Sequence, residues 1–128
     1  MTAGLSILVI DDELDIAELL AELLAQRGHR VATAVNGIAG RTLLMRNDYD
    51  LVITDYMMPI VDGVQLVEGM RADRRLARVP VIMISAQRDL PRGVAEQLVQ
   101  ATLQKPFSPQ ALFTTIARVT DAAAGGGS

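Results

Sequence analysis

The sequence predicts an α/β protein built on a parallel sheet with helices on both faces, and three observations predict it. Short apolar runs alternate with segments of helical periodicity five times along the 128 residues. The runs Ile7-Leu8-Val9-Ile10, Leu51-Val52-Ile53 and Val81-Ile82-Met83-Ile84 are continuously apolar, as strands buried on both faces are. Carboxyl, hydroxyl and ammonium groups stand directly after the first, third, fourth and fifth runs, where an open parallel sheet binds its ligands.

Ser6 to Ile10 reads as the first strand. Glu13 to Arg27 has apolar residues at 16, 19, 20, 23 and 24, one stripe of a helix, and Gly28 stops it. Arg30 to Ala34 is the second strand. Gly37 to Arg46 is a helix with Asn36 as N-cap. Leu51 to Thr54 is the third strand, and Asp62 caps a helix from Gly63 to Ala72. Pro80 to Ile84 is the fourth strand, Arg92 to Val99 a short helix, and Ala101 to Gln104 the fifth strand. Ser108 caps the last helix and Pro109 suits its first turn; that helix runs to about Thr120. Residues 1–120 thus form one domain. Residues 121–128, rich in alanine and glycine, read as a flexible tail, a linker or a cloning remnant.

Composition removes several function classes. There is no cysteine, so disulfides and thiolate metal sites are excluded. The only histidine, His29, follows a helix stop and reads as a loop residue, which leaves little for a histidine zinc site or a Ser-His-Asp triad. The apolar runs are far too short to span a bilayer, and the N-terminus lacks the pattern of a signal peptide, so a cytoplasmic protein without a membrane partner is expected. A net charge of −3 argues against direct nucleic-acid binding. Arg71, Arg74, Arg75 and Arg78 form a local basic cluster, read as a solvated helix end and loop. Of the 12 basic residues only Lys105 is lysine. Where a generic positive charge serves, this sequence uses arginine, so position 105 is a candidate for a site that needs a compact ammonium on a flexible stem.

The strand ends gather the chemistry. Asp11, Asp12 and Glu13 follow the first strand, Asp55 the third, Ser85 the fourth and Lys105 the fifth. Taken singly, each has an ordinary reading as a cap, a turn former or a surface charge; Asp15, Asp48, Asp50, Asp62 and Asp89 keep it. Jointly, at one edge of a sheet, Asp11, Asp12, Asp55, Ser85 and Lys105 outweigh it. Carboxylates packed together repel and call for a cation. Mg²⁺ fits two carboxylates with water and a backbone carbonyl. A carboxylate beside a metal and a lysine can act as a nucleophile toward a phosphoryl group, whose charge metal and lysine stabilise and whose oxygens Ser85 can bond.

These residues resemble the response-regulator receiver family of two-component signalling. The matching elements are ILVIDDE at 7–13, LVITDYMMPIVDG at 51–63, PVIMISA at 80–86 and KPF at 105–107, within a resemblance from about Ser6 to Thr120. The resemblance implies a flavodoxin-like doubly wound sheet of five parallel strands in the order 2-1-3-4-5. It implies Asp55 as phosphoacceptor, Lys105 paired with the phosphoryl group and Ser85 bonded to it. Mg²⁺ would be held by Asp12, Asp55 and the backbone carbonyl of Met57, with Asp11 acting mainly through a metal-bound water. The amides of Met57 and Ala86 would complete the oxygen cradle, and Lys105-Pro106 would be a cis peptide bond. The donor would be a phosphohistidine on a sensor histidine kinase or phosphotransfer protein, and the chain a signalling switch that catalyses only its own phosphorylation and dephosphorylation. It would be a stand-alone receiver or a fragment of a longer regulator or hybrid kinase, with a downstream partner that the residues do not identify.

The chain departs from the family pattern in two places. The position three before the lysine, often aromatic in the family, is Thr102, which removes the ring of an aromatic switch coupled to Ser85. The stretch from Ser85 to Lys105 is short, and Leu98-Val99-Gln100 stands where a Gly-Ala turn is usual. Two other readings compete. A haloacid-dehalogenase-type phosphatase also uses a strand-end aspartate, Mg²⁺ and a lysine, but needs a second aspartate where this chain has Met57. A pseudo-receiver, an interaction module never phosphorylated, would have no use for the intact acidic residues, Ser85 and Lys105.

Overall fold

The computed structural model describes residues 4–86 and 97–126. Five parallel strands, β1 (Ser6–Ile10), β2 (Arg30–Ala34), β3 (Leu51–Asp55), β4 (Val81–Ser85) and β5 (Ala101–Gln104), form one sheet in the order 2-1-3-4-5. Between and after them run α1 (Leu14–Gln26), α2 (Gly37–Arg46), α3 (Gly63–Ala72) and α4 (Pro109–Gly126). The doubly wound fold expected from the sequence is the one observed. The predicted helix from Arg92 to Val99 falls largely on residues 92–96, which lie outside the described residues.

Strand alternation sorts the core into two layers. Ile7, Val9, Leu51, Ile53, Ile82 and Ile84 face α1 and α4, packing on Ala17, Leu20, Leu24, Leu112 and Ile116. Leu8, Ile10, Val52, Val81 and Met83 face α2 and α3, packing on Leu44, Leu66, Val67 and Met70. Because helices cover both faces, β3 and β4 are buried at every position.

The helix starts lie where the sequence places them, for a local reason. Asn36 Oδ1 accepts the amide of Ala39 at 2.7 Å. Asp62 and Gln65 form a reciprocal capping box. Ser108 Oγ accepts the amide of Ala111 at 3.0 Å. Gly28, at φ +87, takes the left-handed turn that ends α1. His29 is buried in that turn, where its Nδ1 accepts the amide of Leu5.

Some boundaries differ from expectation. β3 and β4 each extend one residue further, through Asp55 and Ser85, because the ladder continues: Asp55 pairs with Ile84 and Ser85 with Gln104. Pro80 lies just outside β4. α4 continues past Thr120 to Gly126. Ala122, Ala123 and Ala124 are the strongest helix formers, and extending an existing helix avoids the cost of nucleation. No helix among the described residues is long and apolar enough to cross a membrane.

Candidate functional site

The sheet order determines which residues meet. β1 and β3 are neighbours, so Asp11, just beyond β1, comes beside Asp55 at the end of β3. The backbone ladder carries on past the strands: the amide of Asp11 donates to Ala34 O at 3.0 Å, that of Tyr56 to Ile84 O at 2.7 Å and that of Lys105 to Ser85 O at 2.8 Å. Asp11 and Lys105 are therefore held by main-chain bonds, and Asp55 and Ser85 by the strand ladder itself. Lys105–Pro106 is cis, as the resemblance implies.

Five residues converge there. One carboxylate oxygen from each of Asp11, Asp12 and Asp55 lies within 4.8 Å of the others. Asp11 and Asp55 are buried, at 1% and 6% exposure, and Asp12 is exposed. Lys105 Nζ lies 3.3 Å from Asp11 Oδ2, 3.5 Å from Asp55 Oδ1 and 3.5 Å from Glu13 Oε1. Ser85 is fully buried, and its Oγ is the one buried side-chain polar atom without a hydrogen-bond partner among the described residues. Met57 lies in the loop leaving β3, its side chain exposed.

The electrostatics follow from crowding. Burial and then the neighbouring Asp11 push Asp55 up to about 6, against the pull of Lys105. Burial also raises Asp11, although the Glu13 amide at 2.9 Å and Lys105 both favour its charged form. Burial works against the Lys105 ammonium, yet Asp11 and Asp55 together carry it above its usual value. Lys105 thus stays charged while the carboxylates remain short of positive charge. An open acidic cluster with an exposed member suits a hard cation that keeps most of its water.

Two contributors to the site were not legible as such in the sequence. Glu13 joins the Lys105 cluster at 3.5 Å. Gly63 packs under the site: a Cβ there would stand 2.5 Å from Asp55 O and 3.1 Å from Tyr56 Cα, and its amide donates to Tyr56 O at 2.9 Å. The DG pair at 62 and 63, a cap followed by a residue without a side chain, is the signal for that close approach. Away from the site, Arg71 contradicts its reading as a solvated helix end: it is half-buried and bonded to backbone carbonyls. Thr102 is exposed on β5 and brings no ring to Ser85.

Comparison with known proteins places the chain among proteins of one kind. The profile of the response regulator receiver domain matches residues 7–117. The transcriptional regulatory protein GltR of Pseudomonas aeruginosa is 37% identical over 115 residues, covering 88% of this chain and 48% of that protein. The chemotaxis protein CheY of the same organism is 31% identical over 118 residues, covering 90% of this chain and 95% of that one. Among solved structures, the receiver domain of the Pseudomonas aeruginosa sensor histidine kinase PA1611, with a magnesium ion coordinated in its active site cleft, gives a TM-score of 0.84. It is 27% identical, over 93% of this chain and 99% of that one. The chain spans about half the length of the first curated relatives it matches.

Proposed function

This chain belongs to the response regulator receiver domain family of two-component signalling, and from that premise we propose that Asp55 accepts a phosphoryl group from a phosphohistidine of a sensor kinase or phosphotransfer protein. The observation that carries the reading is a buried aspartate pair sharing one ammonium beside an orphaned hydroxyl, all at one sheet edge. An oxygen of Asp55 bonds to phosphorus as the P–N bond breaks. The electron pair of that bond stays on the imidazole nitrogen, which takes up a proton. Lys105 sits 3.5 Å from Asp55 Oδ1, close enough to follow charge onto the phosphoryl oxygens. Ser85 Oγ–H then donates to one of them and gains the partner it lacks.

Asp11, Asp12 and Asp55, with the backbone carbonyl of Met57, are the residues to hold Mg²⁺, and the mutual repulsion and water access of the three carboxylates fit it. When bound, the ion neutralises charge on the transferring oxygens. Beside Lys105 an apolar groove of about 450 Å³, lined by Ile16, Leu19, Leu23, Pro106 and Phe107 among others, offers the donor an apolar surface to bury against. The chain is then a cytoplasmic switch: the only reaction it promotes is at its own Asp55, and the product alters the surface a downstream partner reads. Residues 1–120 constitute this unit.

The test is uptake of label from acetyl phosphate and from a phosphohistidine donor, with and without Mg²⁺. The wild type takes label only with Mg²⁺, and Asp55→Asn stays at background. Full labelling of Asp55→Asn would sink the assignment. A wild type that takes no label and does not bind beryllofluoride would be an interaction module that is never phosphorylated.

A further inference from the structure

The arginine cluster that the sequence leaves without a role resolves around one side chain. Arg71, in the last turn of α3, donates from Nε to Leu98 O at 3.0 Å. Its Nη1 donates to Leu76 O, Ala77 O and Val79 O at 3.4, 3.1 and 2.8 Å, and its Nη2 to Gln100 Oε1 at 3.1 Å. Gln100 Oε1 also accepts the backbone amide of Val81 at 2.7 Å, and the backbone amide of Gln100 donates to Val81 O at 3.0 Å. One planar cation therefore ties α3, the turn after it, the entry of β4 and the run that enters β5. Gln100 belongs to the Leu98-Val99-Gln100 stretch that replaces the usual Gly-Ala turn, so the departure in sequence and the clamp in structure are one feature. Only a guanidinium presents donors in so wide a fixed fork; an ammonium on the same stem reaches fewer of these carbonyls.

β4 and β5 carry Ser85 and Lys105 at their opposite ends, about 13 Å from this clamp at the rise of a strand. Hydrogen-bonded strands are stiff along their length, so a pull on Ser85 or Lys105 is passed down them unless the far ends are held. We infer that Arg71 is a positioning residue that isolates the entry ends of β4 and β5 from events at Ser85 and Lys105, so that a displacement at the acidic edge is not passed to Gln100 and α3. The inference rests on the phosphoacceptor reading of Asp55.

Hydrogen exchange of the whole chain tests it, in Mg²⁺ alone against Mg²⁺ with beryllofluoride, for wild type, Arg71→Lys and Gln100→Ala. The Gln100 variant keeps the guanidinium and serves if Arg71→Lys fails to fold. In the wild type, exchange over residues 73–81 and 97–101 stays the same when the mimic binds. In the variants the mimic changes exchange there by about tenfold or more, the equivalent of one lost charge-assisted hydrogen bond. If the variants exchange faster to the same extent with and without the mimic, Arg71 is a structural brace alone and the inference is overturned. A wild type that binds the mimic and already changes over these residues overturns it as well. A wild type that does not bind the mimic overturns the phosphoacceptor reading, and the inference falls with it.

Discussion

Replacing Asp55 by asparagine should make the metal-free protein more stable at neutral pH, although it destroys the proposed reaction. The folded state raises Asp55 from 3.8 to about 6. A carboxyl whose pKa rises on folding binds its proton more tightly when folded. Its contribution is therefore most favourable below pH 3.8 and is lost as pH climbs through the window from 3.8 to about 6. At 1.36 kcal/mol for each pH unit, the ionised group costs about 3 kcal/mol above that window. Asparagine removes the charge but brings an amide that must find partners, so the net gain expected is about 1–3 kcal/mol. Lys105 is not stranded by the change, since Asp11 and Glu13 stay at 3.3 and 3.5 Å. Urea unfolding of both proteins in chelator, from pH 4 to pH 7.5, reads the difference directly. The two should agree near pH 4 and separate as pH rises through 6, and Mg²⁺ should then close the gap by stabilising the wild type alone. Parallel curves at every pH would show that Asp55 is not held in an uncompensated charged state.

Three further substitutions probe the site and its support. Lys105→Arg should lower the rate of label uptake at least about tenfold, because a broad planar fork replaces a compact ammonium; wild-type rates would make the single lysine an accident of composition. Gly63→Ala puts a Cβ 2.5 Å from Asp55 O and should cost about 1–3 kcal/mol in urea unfolding; an unchanged midpoint would contradict the close packing. Ile60, at φ 70 and 83% exposed, holds a β-branched side chain in the left-handed region, so Ile60→Gly should raise stability by about 1 kcal/mol; a lower midpoint would refute that strain.

What the sequence reveals follows from the range of the forces involved. Caps are local, so Asn36, Asp62 and Ser108 mark helix starts that the structure reproduces with the expected hydrogen bonds. Continuous apolar runs reveal strands buried on both faces, but hydropathy ends where polarity begins. Asp55 and Ser85 therefore look like loop residues, although the ladder pairs them with Ile84 and Gln104. The polar residues that converge at the acidic edge are legible because each stands at the end of a short apolar run or directly after a strand. Arg71 is not, because nothing local separates an arginine solvated at a helix end from one turned inward to carbonyls as far away as Leu98. The end of α4 is not legible because a run of alanine beside glycine reads equally as tail and as helix.

The acidic edge is costly to fold, and that cost bears on switching. Two buried carboxyls are pushed toward their neutral forms, and the Ser85 hydroxyl is buried without a partner, which alone costs about 1–3 kcal/mol. β1, β3 and β4 beneath are almost entirely buried and the backbone of α3 is packed against Asp55 through Gly63, so the edge cannot relax by letting these groups drift into water. On the proposed chemistry, a cation meets the carboxylates and a phosphoryl oxygen meets Ser85, each satisfying a group that the fold itself leaves unsatisfied. A ligand shifts a conformational equilibrium only by its differential interaction with the two states. Here that differential is supplied by groups already fixed in place, on strands β4 and β5 whose far ends Arg71 and Gln100 tie to α3.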